Sequence, residues 1–508
     1  SPDSCLPWMS PFKKIVNRLL CYISFQKESR TLPIIIREPR MTTKSLGSFN
    51  SVISKNKIHF ISLGCSRNLV DSEVMLGILL KAGYESTNEI EDADYLILNT
   101  CAFLKSARDE AKDYLDHLID VKKENAKIIV TGCMTSNHKD ELKPWMSHIH
   151  YLLGSGDVEN ILSAIESRES GEKISAKSYI EMGEVPRQLS TPKHYAYLKV
   201  AEGCRKRCAF CIIPSIKGKL RSKPLDQILK EFRILVNKSV KEIILIAQDL
   251  GDYGKDLSTD RSSQLESLLH ELLKEPGDYW LRMLYLYPDE VSDGIIDLMQ
   301  SNPKLLPYVD IPLQHINDRI LKQMRRTTSR EQILGFLEKL RAKVPQVYIR
   351  SSVIVGFPGE TQEEFQELAD FIGEGWIDNL GIFLYSQEAN TPAAELPDQI
   401  PEKVKESRLK ILSQIQKRNV DKHNQKLIGE KIEAVIDNYH PETNLLLTAR
   451  FYGQAPEVDP CIIVNEAKLV SHFGERCFIE ITGTAGYDLV GRVVKKSQNQ
   501  ALLKTSKA

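Results

Sequence analysis

The chain has 508 residues, 42% of them hydrophobic, and its 68 Lys or Arg balance its 68 Asp or Glu. That length allows about three domains of ordinary size, and the balanced charge gives no overall preference for nucleic acid. No apolar run approaches the ~20 residues of a membrane span. Ten cysteines are too sparse for a disulfide scaffold, and because six of them fall into two ordered sets they indicate metal ligation in a reducing cytoplasm.

The first 56 residues differ in composition from the rest of the chain. Residues 1–56 carry nine Lys or Arg against three Asp or Glu and have no sustained periodicity, which predicts a basic, disordered leader. A transit peptide would share this composition only in part. The alternative is that Met41 is the true start, and we expect residues 1–40 to be an extension of the gene model.

Strands alternate with helices from Lys57 onward, which predicts a small parallel α/β domain over residues 57–170. A cysteine follows each of three apolar runs, and the carboxyl ends of parallel strands meet at one edge of a sheet. One such cysteine would more often be a small buried apolar side chain, but three at equivalent positions predict a metal cluster. The pairs are Ile58 to Leu63 with Cys65, Tyr95 to Asn99 with Cys101, and Lys127 to Thr131 with Cys133.

A linker over residues 171–192, rich in Glu, Ser, Lys and Pro, is predicted next. The alternation then resumes over residues 193–425, where six βα units predict a partial barrel, two units short of a complete one. In such folds the site lies at the carboxyl ends of the strands. The strand candidates are Tyr195 to Val200, Glu242 to Ala247, Trp280 to Leu286, Tyr308 to Ile311, Val347 to Val355 and Leu380 to Tyr385.

Three cysteines, Cys204, Cys208 and Cys211, follow the first of these strands at CxxxCxxC spacing. Zinc sites usually close with four ligands, and a 4Fe-4S cluster held entirely by protein takes four cysteines. Three thiols would therefore leave one iron open to a small molecule. On spacing alone, a zinc knuckle that borrows a distant ligand and three unconnected core cysteines remain as alternatives.

This arrangement resembles the radical S-adenosylmethionine enzymes, and the preceding three-cysteine domain resembles the methylthiotransferases of that superfamily, over residues 57–495. The RimO type, which modifies an aspartate of small-subunit ribosomal protein twelve, is the most similar. The transfer-RNA type, MiaB, tends to have Val-Pro-Tyr after the cluster cysteines and Gln-Ser where this chain has Gln314-His315. The segments that resemble the RimO type are 61–73, 211–215, 246–249 and 310–315.

The resemblance implies two 4Fe-4S clusters and S-adenosylmethionine as cofactors. Cys204, Cys208 and Cys211 would hold the cluster that binds S-adenosylmethionine and, with one electron, generates a radical able to take hydrogen from the β-carbon of the aspartate. A second cluster would deliver a methylated sulfur atom. The electron would come from a donor such as flavodoxin or ferredoxin. The ligands implied for the second cluster are Cys65, Cys101 and Cys133.

Further cofactor contacts are implied at the strand ends. Gly356, Pro358 and Gly359 would lie against the adenosyl moiety, although an ordinary Gly-Pro turn is an equal alternative. Gln248 stands where many relatives carry a Gly-Gly-Glu-type element that meets the amino group. Phe210 would shield the cluster from water. His315 would either donate to substrate or, as we expect, be a hydrogen-bonded structural histidine.

Short strands between turns over residues 426–496 predict a small β-barrel that resembles a TRAM domain, followed by a tail over residues 497–508. Residues 429–494 contain ten Asp or Glu and five Lys or Arg, which predicts attraction to a basic ribosomal protein rather than direct binding of nucleic acid. We therefore favour a ribosomal-protein methylthiotransferase. A transfer-RNA adenosine methylthiotransferase is the alternative, and a non-catalytic iron-sulfur protein comes third.

Overall fold

A computed structural model describes residues 56–175, 178–183 and 185–497. The predictions for the leader and for nearly all of the tail concern residues outside this part of the chain. None of the described helices is both long and apolar enough to cross a membrane.

The first domain is a six-stranded parallel sheet with helices packed on it, which confirms the predicted α/β fold. Its strands run nearly continuously apolar rather than alternating, because both faces of the sheet are covered. The strands are β1 (Lys57–Ser62), β2 (Glu85–Ser86), β3 (Tyr95–Thr100), β4 (Lys127–Gly132), β5 (Ile149–Leu153) and β6 (Gly171–Lys173), in the order β2-β1-β3-β4-β5-β6, and the helices are α1 (Ser66–Lys81), α2 (Lys105–Val121), α3 (Cys133–Asn137) and α4 (Ile161–Glu166).

The strand β6 lies inside the interval predicted as a linker. It pairs in parallel with β5, from Tyr151 opposite Gly171 to Leu153 opposite Lys173. The prediction that the linker starts at residue 171 is therefore wrong for these three residues. They belong to the sheet, because they pair with the backbone groups at the otherwise open edge of β5.

The central domain is a partial barrel of six parallel strands, as predicted. It consists of two three-stranded sheets joined where the Leu286 amide donates to the Asp310 carbonyl at 2.8 Å. The strands are β7 (Tyr195–Lys199), β10 (Glu242–Ile246), β11 (Trp280–Met283), β12 (Tyr308–Asp310), β13 (Tyr348–Val355) and β14 (Asn379–Leu384), with a short ribbon of β8 (Ala201–Glu202) and β9 (Arg221–Ser222), and the helices are α5 (Ile213–Lys217), α6 (Leu225–Asn237), α7 (Leu265–Lys274), α8 (Asp293–Ser301), α9 (Asp318–Gln323), α10 (Arg330–Lys343) and α11 (Gln362–Gly373).

A 26-residue helix, α12 (Glu402–Leu427), leads from the partial barrel to a closed five-stranded barrel, which confirms the predicted small β-barrel. Closure removes the exposed strand edges that an open sheet of this size would present. Its strands are β15 (Lys431–His440), β16 (Thr443–Phe451), β17 (Ile462–Glu466), β18 (Arg476–Ala485) and β19 (Asp488–Lys496).

Part of the acidic excess of this small barrel is turned inward, against the central domain. Asp437 pairs with His194 at 2.8 Å, Tyr195 donates to the Glu457 carboxylate at 2.8 Å, and Tyr308 donates to Asp459 at 2.6 Å. The expectation that the acidic residues face a basic partner is wrong for these three, because their carboxylates serve the contact between two domains.

A buried network of four charges joins the first domain to the central one. Lys199 of β7 lies 2.5 Å from Asp71 of α1 and 3.0 Å from Glu202. Lys217 lies 2.8 Å from Glu202 and 3.2 Å from Asp71. Since all four side chains are at most 5% exposed, each charge depends on the two charges of opposite sign for compensation.

A second contact from the same helix reinforces the first. Arg187 donates to the Glu73 carboxylate at 2.6 Å and also pairs with Glu231 of α6. The Ser190 amide donates to Glu73 at 2.7 Å. Two acidic residues of α1, Asp71 and Glu73, thus fix its orientation on the central domain.

The network predicts the stability of an Asp71→Asn variant. Lys199 and Lys217 would then share Glu202 alone, and removing one partner of a buried ion pair costs about 3–5 kcal/mol. We expect the urea midpoint, followed by circular dichroism, to fall accordingly. The matched control is Asp109→Asn, whose carboxylate is 49% exposed and pairs with Lys112; it should cost about 0–1 kcal/mol. Equal shifts in both variants would contradict the proposed dependence.

Candidate active site

The first cysteine set lies at the carboxyl ends of three neighbouring strands, as the sequence predicts. Cys65 precedes α1, Cys101 follows β3, and Cys133 is the first residue of α3 after β4. Gly64 has φ +96°, and a Cβ added to it would lie 2.7 Å from the Cβ of Cys101 and 3.0 Å from its sulfur. The loops of Cys65 and Cys101 are therefore packed directly on each other.

Buried amide side chains hold these loops in place. Asn68 donates to the Leu63 carbonyl at 2.6 Å, and Asn99 donates to the Asn68 carbonyl at 3.0 Å and to Ser72 at 2.8 Å. Thr100 donates to the Thr131 carbonyl at 2.6 Å. Because the three loops are bonded to one another, the cysteines they carry are positioned together.

The three thiols differ in their electrostatic surroundings. Burial, with Cys133 and Cys65 nearby, raises the pKa of Cys101 to about 12. Burial raises the pKa of Cys133 to about 11, against the opposing charge of Lys217. Burial also acts on Cys65, but the hydrogen-bonded Arg67 guanidinium outweighs it and lowers the pKa of that thiol. The cationic neighbour therefore favours the thiolate form at Cys65, whereas metal binding would have to displace protons from Cys101 and Cys133.

The second set occupies the loop after β7. The Cys204 amide donates to the Gly218 carbonyl at 3.2 Å, and the Cys211 amide donates to the Cys208 carbonyl at 3.1 Å. The Cys208 sulfur lies 3.4 Å from the Tyr287 hydroxyl and 3.8 Å from the guanidinium of Arg326. Burial raises the pKa of both Cys204 and Cys211 to about 12. Metal binding would therefore have to displace protons from both thiols.

Arg67 stands between the two sets. Its guanidinium is close enough to Cys65 to lower the pKa of that thiol, donates to the Ala247 carbonyl at the end of β10 at 2.9 Å, and lies 4.3 Å from the centre of the Tyr285 ring. It is also close enough to Cys211 to oppose the effect of burial on the pKa of that thiol. The two cysteine sets therefore face each other across one arginine.

Comparison with known proteins shows which family this chain resembles. Family models match at residues 57–154 (Uncharacterized protein family UPF0004), 198–372 (Radical SAM superfamily) and 428–494 (TRAM domain). A curated relative from Chlamydia caviae, named ribosomal protein uS12 methylthiotransferase RimO, is 75% identical over 90% of this chain and 99% of its own. Proteins of the same name from Protochlamydia amoebophila (55% identical, 86% of this chain, 93% of its own) and Geotalea uraniireducens (43% identical, 87% and 99%) are also similar.

The chain belongs to the RimO family of methylthiotransferases. It is accordingly a radical S-adenosylmethionine transferase, with S-adenosylmethionine and 4Fe-4S clusters as its cofactors. The predictions of family, enzyme class and cofactors are confirmed. The adenosine-modifying alternative is not favoured, because the relatives carry the RimO name.

Three carboxylates beside the second set fit the ammonium group of S-adenosylmethionine. Asp249, Asp252 and Glu290 each direct an oxygen within 4.8 Å of the others. Lys206 lies 2.6 Å from Glu290, and Lys255 lies 2.6 Å from Asp252. Three carboxylates face only two cations here, and burial together with Glu290 raises the pKa of Asp249 well above its usual range, because its negative charge is not compensated. The cluster lacks one cation, which a ligand ammonium would supply.

Sequence reasoning missed this trio, although Asp249 directly follows the predicted contact Gln248. Asp252 and Glu290 lie on two different loops, and no local spacing connects them. Gln248 itself is half-buried, and its side-chain carbonyl has no hydrogen-bond partner among the described residues. The contact of Gln248 with the cofactor therefore remains a prediction.

The other predicted contacts lie in two places. Phe210 packs against the apolar group that contains Ala209 and Phe357, next to the cysteine loop. Gly356 and Gly359 both have φ +74°; the Gly356 amide donates to Glu360, and the Gly359 amide donates to the Asp398 carbonyl. Pro358 is buried between them. Contact of Phe210, Gly356, Pro358 and Gly359 with cofactor remains a prediction.

His315 has a structural environment. Its side chain is fully buried, its Nδ1 accepts a hydrogen bond from the Asn317 amide at 3.0 Å, and its Nε2 lies 3.6 Å from Glu360. Glu360 in turn pairs with Arg408 at 3.1 Å. These contacts favour the structural interpretation over a bond to substrate.

The packing of Gly64 on Cys101 predicts the effect of Gly64→Ala. The added methyl group would push the two cysteine loops apart, so we expect iron per chain after anaerobic reconstitution to fall from about eight to about four. Gly83→Ala is the matched control, because Gly83 also has φ +96° but an added Cβ would meet nothing within 4 Å. It carries the same backbone strain, and its iron content should stay at about eight. Equal iron loss in both variants would contradict the packing argument.

Proposed function

We propose that this protein adds a methylthio group to the β-carbon of an aspartate in ribosomal protein uS12. The observation that carries the proposal is the pair of three-cysteine sets facing each other across Arg67. One site for radical generation and one for sulfur delivery have to share a substrate carbon, so they must lie close together. The names of the curated relatives support uS12 as the substrate.

Each set would hold one 4Fe-4S cluster with three thiolates. Cys204, Cys208 and Cys211 would leave one iron for S-adenosylmethionine, and the second ligand set is Cys65, Cys101 and Cys133. When bound, these cofactors supply the one-electron and radical chemistry that acid-base groups cannot provide at an unactivated carbon.

The chain's own residues orient these groups and compensate their charge. Asp249, Asp252 and Glu290 would bind the ammonium of S-adenosylmethionine, while Lys206 and Lys255 compensate only part of the charge of the three carboxylates. Arg67 would compensate thiolate charge at Cys65 and fix the Cys65 loop to the end of β10. On the other side of the second set, Arg326 stacks 3.9 Å from the Tyr287 ring and would compensate charge at Cys208.

The reducing electron would come from a carrier such as flavodoxin or ferredoxin, in the bacterial cytoplasm where ribosomes are assembled. Direct binding of nucleic acid is not needed for recognition of a protein aspartate. Mass spectrometry of uS12 incubated with reconstituted enzyme and S-adenosylmethionine tests the whole proposal. A methylthio mass increment on one aspartate is expected, and the same increment on transfer RNA instead would overturn it.

Mutagenesis should distinguish the roles of the two cysteine sets. Replacing Cys204, Cys208 and Cys211 together with Ala should remove about half of the iron. It should also abolish reductive cleavage of S-adenosylmethionine, measured as release of 5′-deoxyadenosine by liquid chromatography. Persistent release in this variant would contradict the assigned site.

The matched variant replaces Cys65, Cys101 and Cys133 with Ala. It should lose the other half of the iron yet still release 5′-deoxyadenosine, because the barrel site remains intact. The methylthio increment on uS12 should disappear. Product formed at the wild-type rate would show that the first set has no part in sulfur delivery.

A further inference from the structure

The cysteine loop after β7 presents positive charge to solvent. Its residues alternate in direction between the first two ligands: Lys206 turns inward to Glu290 at 2.6 Å, while Arg205 and Arg207 are exposed. Neither arginine forms a hydrogen bond or ion pair with another residue in the part of the chain that the structure describes. Two uncompensated cations therefore lie within the loop that would hold the cluster.

Three more exposed cations lie on the neighbouring turns. Lys219 follows Gly218, whose carbonyl accepts from the Cys204 amide, and Gly203 packs on the Lys219 carbonyl. Lys322 and Arg325 flank Met324, whose carbonyl accepts from the Ala209 amide at 3.0 Å. We call this surface the cationic rim: Arg205, Arg207, Lys219, Lys322 and Arg325.

The rim keeps an excess of positive charge. Three exposed acidic residues lie on the same or adjacent turns: Asp289, which accepts from Thr327 at 3.3 Å, Asp318, which accepts from the Arg330 amide at 2.7 Å, and Glu395. None of the five rim side chains pairs with any of these three or with any other described residue. Five cations against three anions, all at the solvent boundary, attract an acidic partner and repel a basic one.

The substrate of the proposed reaction is a poor occupant for such a surface. Ribosomal proteins bind the phosphates of RNA and are basic on that account, so the rim would repel uS12. The reaction also needs an electron, which has to enter close to the second cysteine set. A rim built into the cysteine loop itself gives an electron carrier the shortest approach.

We propose that the cationic rim is the docking surface for an acidic one-electron carrier protein. The inference rests on the proposed function, because only a radical mechanism requires repeated delivery of electrons at this loop. On docking, the carrier is oxidised by one electron and the enzyme's cluster is reduced by one electron. No bond forms or breaks and no proton is transferred.

The test compares electron delivery by a protein with delivery by a small reductant. The variant is Lys219→Glu with Arg325→Glu, since both side chains lie outside the cysteine run. Anaerobic stopped-flow absorbance follows cluster reduction by reduced flavodoxin, and by dithionite in parallel. At low ionic strength the rate with flavodoxin should fall by about ten-fold or more, because electrostatic steering contributes 10–10³-fold to association. The difference should vanish near 0.5 M salt, where screening is nearly complete, and the dithionite rate should not change.

The matched control makes the same change in net charge elsewhere. Lys238→Glu with Lys410→Glu alters two exposed, unpaired lysines at the far end of α6 and on α12. Its rate with flavodoxin should equal that of the wild type. A control variant as slow as the rim variant would overturn the proposal, since net charge and not location would then govern the rate.

Other outcomes also decide the question. A wild-type rate with flavodoxin in the rim variant at low salt overturns the proposal. So does weaker binding of a single-stranded ribosomal RNA oligonucleotide with unchanged flavodoxin reduction, which would make the rim a nucleic-acid surface. If the Glu pair loses iron, Lys219→Gln with Arg325→Gln takes its place, and a wild-type flavodoxin rate in that variant overturns the proposal.

Cluster reduction is measured before uS12 is added. Normal reduction without modification of uS12 would therefore refute the proposed function and leave the docking proposal standing.

Discussion

The relation between the two cysteine sets depends on four charges that water cannot reach. Asp71 and Glu202 compensate Lys199 and Lys217 in the contact between the first and central domains. A buried charge without its partner is so costly that the contact can close in one arrangement only. That arrangement brings the end of β1 to the end of β10, where Arg67 reaches the Ala247 carbonyl. The spacing of the two sites is therefore set by the electrostatics of the domain contact, which borders the first set through Lys217.

The two sites differ in charge in a way that matches two different tasks. The first set has cations beside it, Arg67 and Lys217, which favour thiolates and a sulfur-rich centre. The second set has an excess of carboxylate on one side, from Asp249, Asp252 and Glu290, which favours a cationic ligand. The cysteine loop of the second set directs its cations two ways. Lys206 turns toward these carboxylates, while Arg205 and Arg207 turn toward solvent.

The sequence predicts the architecture and the cysteine sets well, because both follow from local rules. Apolar runs give the strands, and parallel pairing brings Cys65, Cys101 and Cys133 to one edge. The contacts between domains could not be predicted. Asp71 and Lys199 are 128 positions apart, and nothing in either segment marks them as partners. The inward orientation of Asp437, Glu457 and Asp459 could not be predicted either, because a count of acidic residues records their charge but not the direction of their side chains.

The two sets also differ in how they arise during folding, and this bears on iron loading. Cys204, Cys208 and Cys211 lie within eight consecutive residues, so a short stretch of chain can gather all three ligands. The first set does not exist until β1, β3 and β4 are paired, since its members come from three strands. Iron binding at the first site therefore requires a finished sheet, whereas the central site draws all three thiol ligands from one loop. Loss of strand pairing would disperse all three ligands of the first set and leave those of the second set together, so the two sites should differ in how easily they lose iron.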